Sequence, residues 1–222
     1  MKSYNNDPAF KKKAVEAAIR HRDMDMLMSG TYGVRISNDF KGCSIGCDAF
    51  DITGGIAYDP HQATADYFGF PLWFERLRDE IFEGLDQAGR VNWHVDIKQA
   101  VPIGMDESDF DQVKKDFLVW LMEENIKVVE RLDIVKELKD QILSAINGVI
   151  NAFKTGEGME AARDSAIYAL DAARDARDAS AARAARDARD AARDAIDANY
   201  AGHKKQANKL IELFKRYNAI KS

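Results

Sequence analysis

Pro71-Leu72-Trp73-Phe74-Glu75-Arg76-Leu77-Arg78-Asp79-Glu80-Ile81-Phe82-Glu83-Gly84-Leu85 is the stretch on which the fold class turns. Its apolar residues recur in threes and fours, the spacing of one helical face and not the alternation of a strand. Leu72, Phe74, Leu77, Ile81, Phe82 and Leu85 form the stripe, and Glu75, Arg76, Arg78 and Asp79 are expected on the solvated side. Read alone, Glu75, Asp79 and Glu80 could supply paired carboxylates, but on an amphipathic helix such residues usually face water.

The same period continues on both sides. Asp7-Pro8 begins a helix with proline at the first helical position, where its missing N–H costs nothing. Phe10, Ala14, Ala17, Ala18, Met24 and Leu27 carry that helix to Ser29-Gly30. Pro60 opens another that Gly69 stops, and Trp93 to Val101 reads as a short helix closed by Pro102 and Gly104. Phe110, Val113, Phe117, Leu118, Trp120 and Leu121 mark a core helix from Ser108, and Leu138, Ile142, Ala145, Ile146, Val149 and Ile150 mark one over residues 134–153. Tyr32 to Ile36 alone suggests an extended piece. The expectation is an all-α chain.

Thr155-Gly156-Glu157-Gly158 is the clearest break, so residues 1–155 are expected as a globular helical domain and 159–222 as a long helix plus a C-terminal amphipathic helix. Ala-Arg-Asp units fill residues 159–200. Ala162, Ala166, Ala169, Ala173, Ala176, Ala184, Ala188, Ala191, Ala195 and Ala198 lie on one stripe of small side chains, with Ser180 and Gly202 in register. Such a stripe lets helix backbones approach closely. About forty helical residues span roughly 60 Å, longer than a domain of this size, so the stripe is expected to form a homo-oligomer, most simply a dimer. Leu210, Ile211, Leu213, Phe214, Tyr217 and Ile220 then give the final helix something to bury.

Composition excludes several classes. The 222 residues carry a net charge of −5, against the basic footprint that nucleic acids or anionic membranes require. Apolar runs are too short to cross a bilayer, and residues 1–20 hold lysines but no apolar signal core. The expected place is the cytoplasm, where two thiols imply no disulfide framework.

Cys43 and Cys47, with His61 or Asp48, are the one metal candidate, but structural zinc usually takes four ligands in paired short spacings, and His21, His94 and His203 are scattered. Both cysteines are therefore expected as small buried packing residues, with no metal, cofactor or catalytic residue assigned. Gly42, Cys43, Gly46 and Cys47, with Gly54 and Gly55, make a candidate functional loop that lacks a phosphate-loop or dinucleotide fingerprint. Turn-making is the plainer role.

Gly42-Cys43-Ser44-Ile45-Gly46-Cys47, then Gly69-Phe70-Pro71-Leu72-Trp73, Ile81-Phe82-Glu83-Gly84-Leu85, Trp93, Val101-Pro102-Ile103-Gly104 and Phe117-Leu118-Val119-Trp120-Leu121, resemble a family of uncharacterised bacterial and phage proteins. Members often end in Ala-rich helical repeats, and similar chains carry an immunity-protein label. The resemblance covers residues 40–125 and the style of the tail. It implies a phage or mobile-element setting and a non-enzymatic protein that neutralises a defence protein or toxin by binding. The alternative is a protein that sequesters a small molecule such as a nucleotide signal, and an enzyme comes third.

Overall fold

A computed structural model describes residues 1–36, 39–131, 134–158 and 188–221. Among them the chain is all-α with one small hairpin. After a left-handed turn at Ser3–Asn6 come α1 (Pro8–Asp23), β1 (Val34–Ile36), β2 (Asp39–Lys41), α2 (Ser44–Thr53), α3 (Pro60–Phe68), α4 (Leu72–Gly84), α5 (Gln87–Ala100), α6 (Glu107–Arg131), α7 (Lys136–Thr155) and α8 (Ala188–Lys221). No helix among the described residues is long and apolar enough to cross a membrane.

Local chemistry explains most boundaries. Asp7 caps α1 by accepting from the Ala9 N–H, and Asp59 caps α3 by accepting from Gln62, each with proline next in the chain. Asp86 caps α5 from Gly89 at 2.7 Å. That cap starts α5 well before Trp93, so this helix is longer than its apolar residues suggest. α1 is shorter than expected: it ends at Asp23, and Asp25 takes a left-handed φ of 53°. Tyr32–Ile36 contributes β1, paired antiparallel with β2 through Val34–Lys41, Arg35–Phe40 and Ile36–Asp39.

The contacts define two units, Met1–Val113 with Asp197–Ser222, and Lys114–Ile196. The break at Thr155-Gly158 lies inside the second unit and ends α7, with Gly156 left-handed at φ 80°. In that unit Lys154 pairs with Glu123 at 3.4 Å. The first unit is built around an aromatic cluster: Phe74 meets Phe70 and Phe214 edge-to-face at 5.3 and 5.2 Å and Phe110 at a tilt at 5.4 Å. Leu210, Leu213 and Phe214 of α8 are fully or almost fully buried there, as the apolar C-terminal pattern anticipates. Ala162, Ala166, Ala169, Ala173, Ala176 and Ala184 lie outside the described residues. Ala188, Ala191, Ala195 and Ala198 are in α8.

Candidate functional site

Of the α4 residues expected to meet water, Arg76 does, but Glu75, Arg78 and Asp79 are buried. Glu75 and Arg78 are 0% exposed and Asp79 8%. Phe74, Ile81, Phe82 and Leu85 define a stripe whose centre is position 78, so Arg78 sits where an apolar residue would be expected. Buried charge is tolerated only with partners, and α4 meets two groups of them.

The first group joins four helices. Arg78 Nη2 donates to Asp48 Oδ2 of α2 at 2.8 Å and pairs with Glu75 Oε2 at 2.9 Å. Lys98 of α5 donates to Asp48 Oδ1. His21 of α1 stacks on His94 of α5, with Nδ1 and Nε2 3.1 Å apart, and His21 Nε2 lies 2.8 Å from Asp51 Oδ2. Burial alone would raise the Asp48 carboxyl, but the Lys98 ammonium and the Arg78 guanidinium outweigh it and hold it well below the usual carboxylate range. Burial pushes Glu75 up to about 6 against the pull of Arg78. The same desolvation holds His94 well below the usual histidine range, hence neutral. If its Nε2–H donates to His21, the His21 proton is on Nε2 and goes to Asp51. His94 Nδ1 is then a bare buried acceptor, and it has no hydrogen-bond partner. A cleft walled by Phe10, Ala14, Ala17, Tyr67 and Phe68 reaches Asp48 and Lys98. With two fixed cations already on Asp48, this group is an ionic knot that ties α1, α2, α4 and α5 together.

The second group lies where the start of α2 faces the C-terminal half of α4. Residues 41–55 are not the turn-rich loop their glycines suggest: Cys43 is the N-cap of α2, and its Sγ accepts from the Gly46 N–H at 3.4 Å. Gly42 and Gly46 are there for close approach. A Cβ at Gly46 would stand 1.8 Å from the Tyr32 carbonyl oxygen, and one at Gly42 2.7 Å from it. The Thr31–Tyr32 backbone therefore lies directly on α2, and Cys43 N donates to Thr31 O at 2.7 Å. That seating puts the Tyr32 ring edge-on to His61 of α3, centroids 5.4 Å apart.

His61 Nε2 in turn lies 3.1 Å from Asp79 Oδ2. One ligand atom each from Cys43, Asp79 and Glu83 lies within 4.8 Å of the others. Glu83 Oε2 accepts from the Gly30 N–H at 2.8 Å, which pins it. Asp79 Oδ1 is buried with no well-formed hydrogen bond, while the Tyr32 phenol and the Cys43 thiol both reach toward the Asp79 carboxyl. Three acids here, Cys43, Tyr32 and Glu83, are pushed toward their neutral forms. Burial, then Asp79, raises the Cys43 thiol far above its ordinary value. Burial and Asp79 also raise the Tyr32 phenol. Burial raises Glu83, with the Gly30 amide opposing and Asp79 adding to the rise. The ion-pair partner of Asp79 is His61. Arg90 pulls the Glu83 carboxyl down while donating to the carbonyls of Phe82 and Glu83.

The candidate residues of the sequence thus separate. Gly42, Cys43 and Gly46 build the second group, and His61 joins it. Asp48 belongs to the ionic knot. Cys47 is buried, with its Sγ toward the Met26 and Gly42 carbonyls at 3.6 and 3.5 Å, and burial pushes its thiol up to about 12. In sequence Glu75 and Asp79 could supply paired carboxylates but read as solvated with Arg78, His21 and His94 read as scattered, and Glu83, Tyr32 and Lys98 are not candidates. The signal available is the position of Arg78, in register with Phe74, Ile81, Phe82 and Leu85.

No known protein family, curated protein or solved structure matches the chain. Fold and site define it as an all-α protein with an acidic, thiol-bearing cluster where α2 meets α4.

Proposed function

We propose that the protein binds a small cationic ligand in the pocket formed by Cys43, His61, Asp79 and Glu83, and that its biological work is done there without covalent chemistry. The observation that carries this reading is Asp79: a buried carboxylate whose Oδ1 has no well-formed hydrogen bond, with the Cys43 thiol and the Tyr32 phenol against the carboxyl and the Glu83 carboxyl within 4.8 Å. An unpaired buried acceptor costs roughly 1–3 kcal/mol, more when charged, and a bound cation removes that cost. Like charges at i and i+4 of one helix add to the strain.

Ligand binding to the folded state alone raises the melting temperature. Thermal melts with zinc, cobalt, magnesium and the diamine putrescine should show a rise with at least one of them, lost in Asp79→Asn. If none of the four shifts the melt, or Asp79→Asn shifts as much as wild type, the reading fails.

The second reading, neutralisation of a protein partner, has one observation in its favour. Tyr32, Ile36, Ile56 and Tyr58 are exposed large side chains on the hairpin and the α2–α3 connection, Tyr58 completely so. The phage–host setting implied by the resemblance belongs with it. Its check is a complex that Ile56→Ser with Tyr58→Ser abolishes and Asp79→Asn leaves intact.

A further inference from the structure

The described residues offer two constellations of metal-ligating side chains, His21–Asp48–His94 and Cys43–Asp79–Glu83. Charge decides between them. In the first, Asp48 is engaged by the Lys98 ammonium and the Arg78 guanidinium, so a divalent ion would enter beside two buried cations. The second has two carboxyls and a thiol, and its one nearby cation, Arg90, pulls on Glu83 while its own donors are spent on the Phe82 and Glu83 carbonyls.

We infer that Cys43 Sγ, Asp79 and Glu83 together bind a divalent transition-metal ion of the zinc type, an inference that rests on the cation-pocket reading above. A thiolate with two carboxylates is a mixed soft and hard donor set, which suits a borderline ion better than magnesium or calcium. Tetrahedral zinc wants sulfur at about 2.3 Å and oxygen at about 2.0–2.2 Å, hence ligand atoms about 3.3–3.8 Å apart. The three atoms here lie within 4.8 Å of one another, so closure by about 1 Å of side-chain rotation suffices.

The supports are in place. Gly30 N–H holds Glu83, and His61 Nε2 holds Asp79 Oδ2, leaving Oδ1 for the ion. A second partner of this kind fixes a ligand's orientation. A tetrahedral ion on three protein ligands takes a fourth from outside them, and the half-exposed Tyr32, whose phenol reaches Asp79, stands beside the three.

Binding is a proton exchange. The Cys43 S–H bond breaks, the electron pair stays on sulfur and forms the S–metal bond, and the proton leaves to solvent. The raised thiol therefore does not forbid coordination, since a bound divalent ion deprotonates a coordinating thiol outright. It makes affinity rise with pH.

Cobalt(II) is the probe, because a thiolate ligand gives it a sulfur-to-metal charge-transfer band. Wild type and Cys47→Ser should both show the band at one cobalt per chain, and Cys43→Ser should lack it. Asp79→Asn and Glu83→Gln should weaken zinc binding more than 100-fold, and His61→Asn about 10–100-fold. Circular dichroism checks each variant's fold. If Asp79→Asn does not fold, Glu83→Gln, at the half-buried rim, carries the carboxylate test. A band that survives in Cys43→Ser or vanishes in Cys47→Ser overturns the inference. So does zinc affinity unchanged in the folded carboxylate variants. Putrescine binding that depends on Asp79, with no metal binding, sinks the metal and leaves the cation pocket standing. Binding of neither sinks both.

Discussion

Lys98→Met removes the ammonium from Asp48 while keeping the volume of the side-chain stem. Lys98 is 1% exposed, and Asp48 is left with Arg78 Nη2 at 2.8 Å as its remaining cation. Removing one partner of a buried ion pair costs about 3–5 kcal/mol. Because Arg78 stays and methionine leaves little cavity, the low end applies, about 3 kcal/mol. At about 2–4 °C per kcal/mol for a chain of this size, the melting temperature should fall by about 6–12 °C.

The pH dependence has a definite sign. Asp48 is held well below its unfolded value, so its contribution is present above the unfolded pKa and lost as pH falls through the folded one. Without Lys98 the folded pKa climbs, and the penalty should be largest near pH 7 and shrink toward pH 4. Melts followed by circular dichroism at several pH values measure this. In Asp48→Asn with Lys98→Met, the double loss should be smaller than the sum of the two single losses. A variant that melts within about 2 °C of wild type, or single losses that simply add, would refute the knot as drawn.

Glu75 should give the opposite slope: its pKa rises to about 6 on folding, so its contribution is full below the unfolded value and lost as pH rises through about 6. At 1.36 kcal/mol per pKa unit that is about 2 kcal/mol across the window, and Glu75→Gln should flatten this part of the stability–pH curve. Gly46→Ala must displace the Tyr32 carbonyl, 1.8 Å from the new Cβ, and should cost about 1–3 kcal/mol in a denaturant titration while weakening the cation pocket. If Gly46→Ala matches wild type in both, the close seating of Tyr32 on α2 is wrong.

What the sequence made legible is local. Asp7-Pro8, Asp59-Pro60 and Gly69 announce helix ends because cap and proline act within a few residues, and the apolar spacing of α4 announces a helix. The site is non-local. Asp48 meets Arg78 across 30 positions and Lys98 across 50, and His21 meets His94 across 73, so no window along the chain pairs them. Asp79 reads as solvated with Glu75, Arg76 and Arg78 because charged residues on an amphipathic helix usually are, and Glu83 draws no separate reading. The burial of Asp79 follows from α2 and the Tyr32 segment packing over α4, which tertiary contacts alone decide. Gly42 and Gly46 were visible as a pattern, but their reason was the backbone laid across them. The small-residue stripe from Ala162 to Ala184 lies outside the described residues, so the homodimer it suggests is a separate question.

Crystals grown with zinc and measured on both sides of the zinc absorption edge test the central claim most directly. The account predicts one anomalous peak about 2.3 Å from Cys43 Sγ and about 2.0–2.2 Å from a carboxylate oxygen of Asp79 and of Glu83. A peak between His21, His94 and Asp48, or none at the Cys43 pocket in fully loaded crystals, would contradict it.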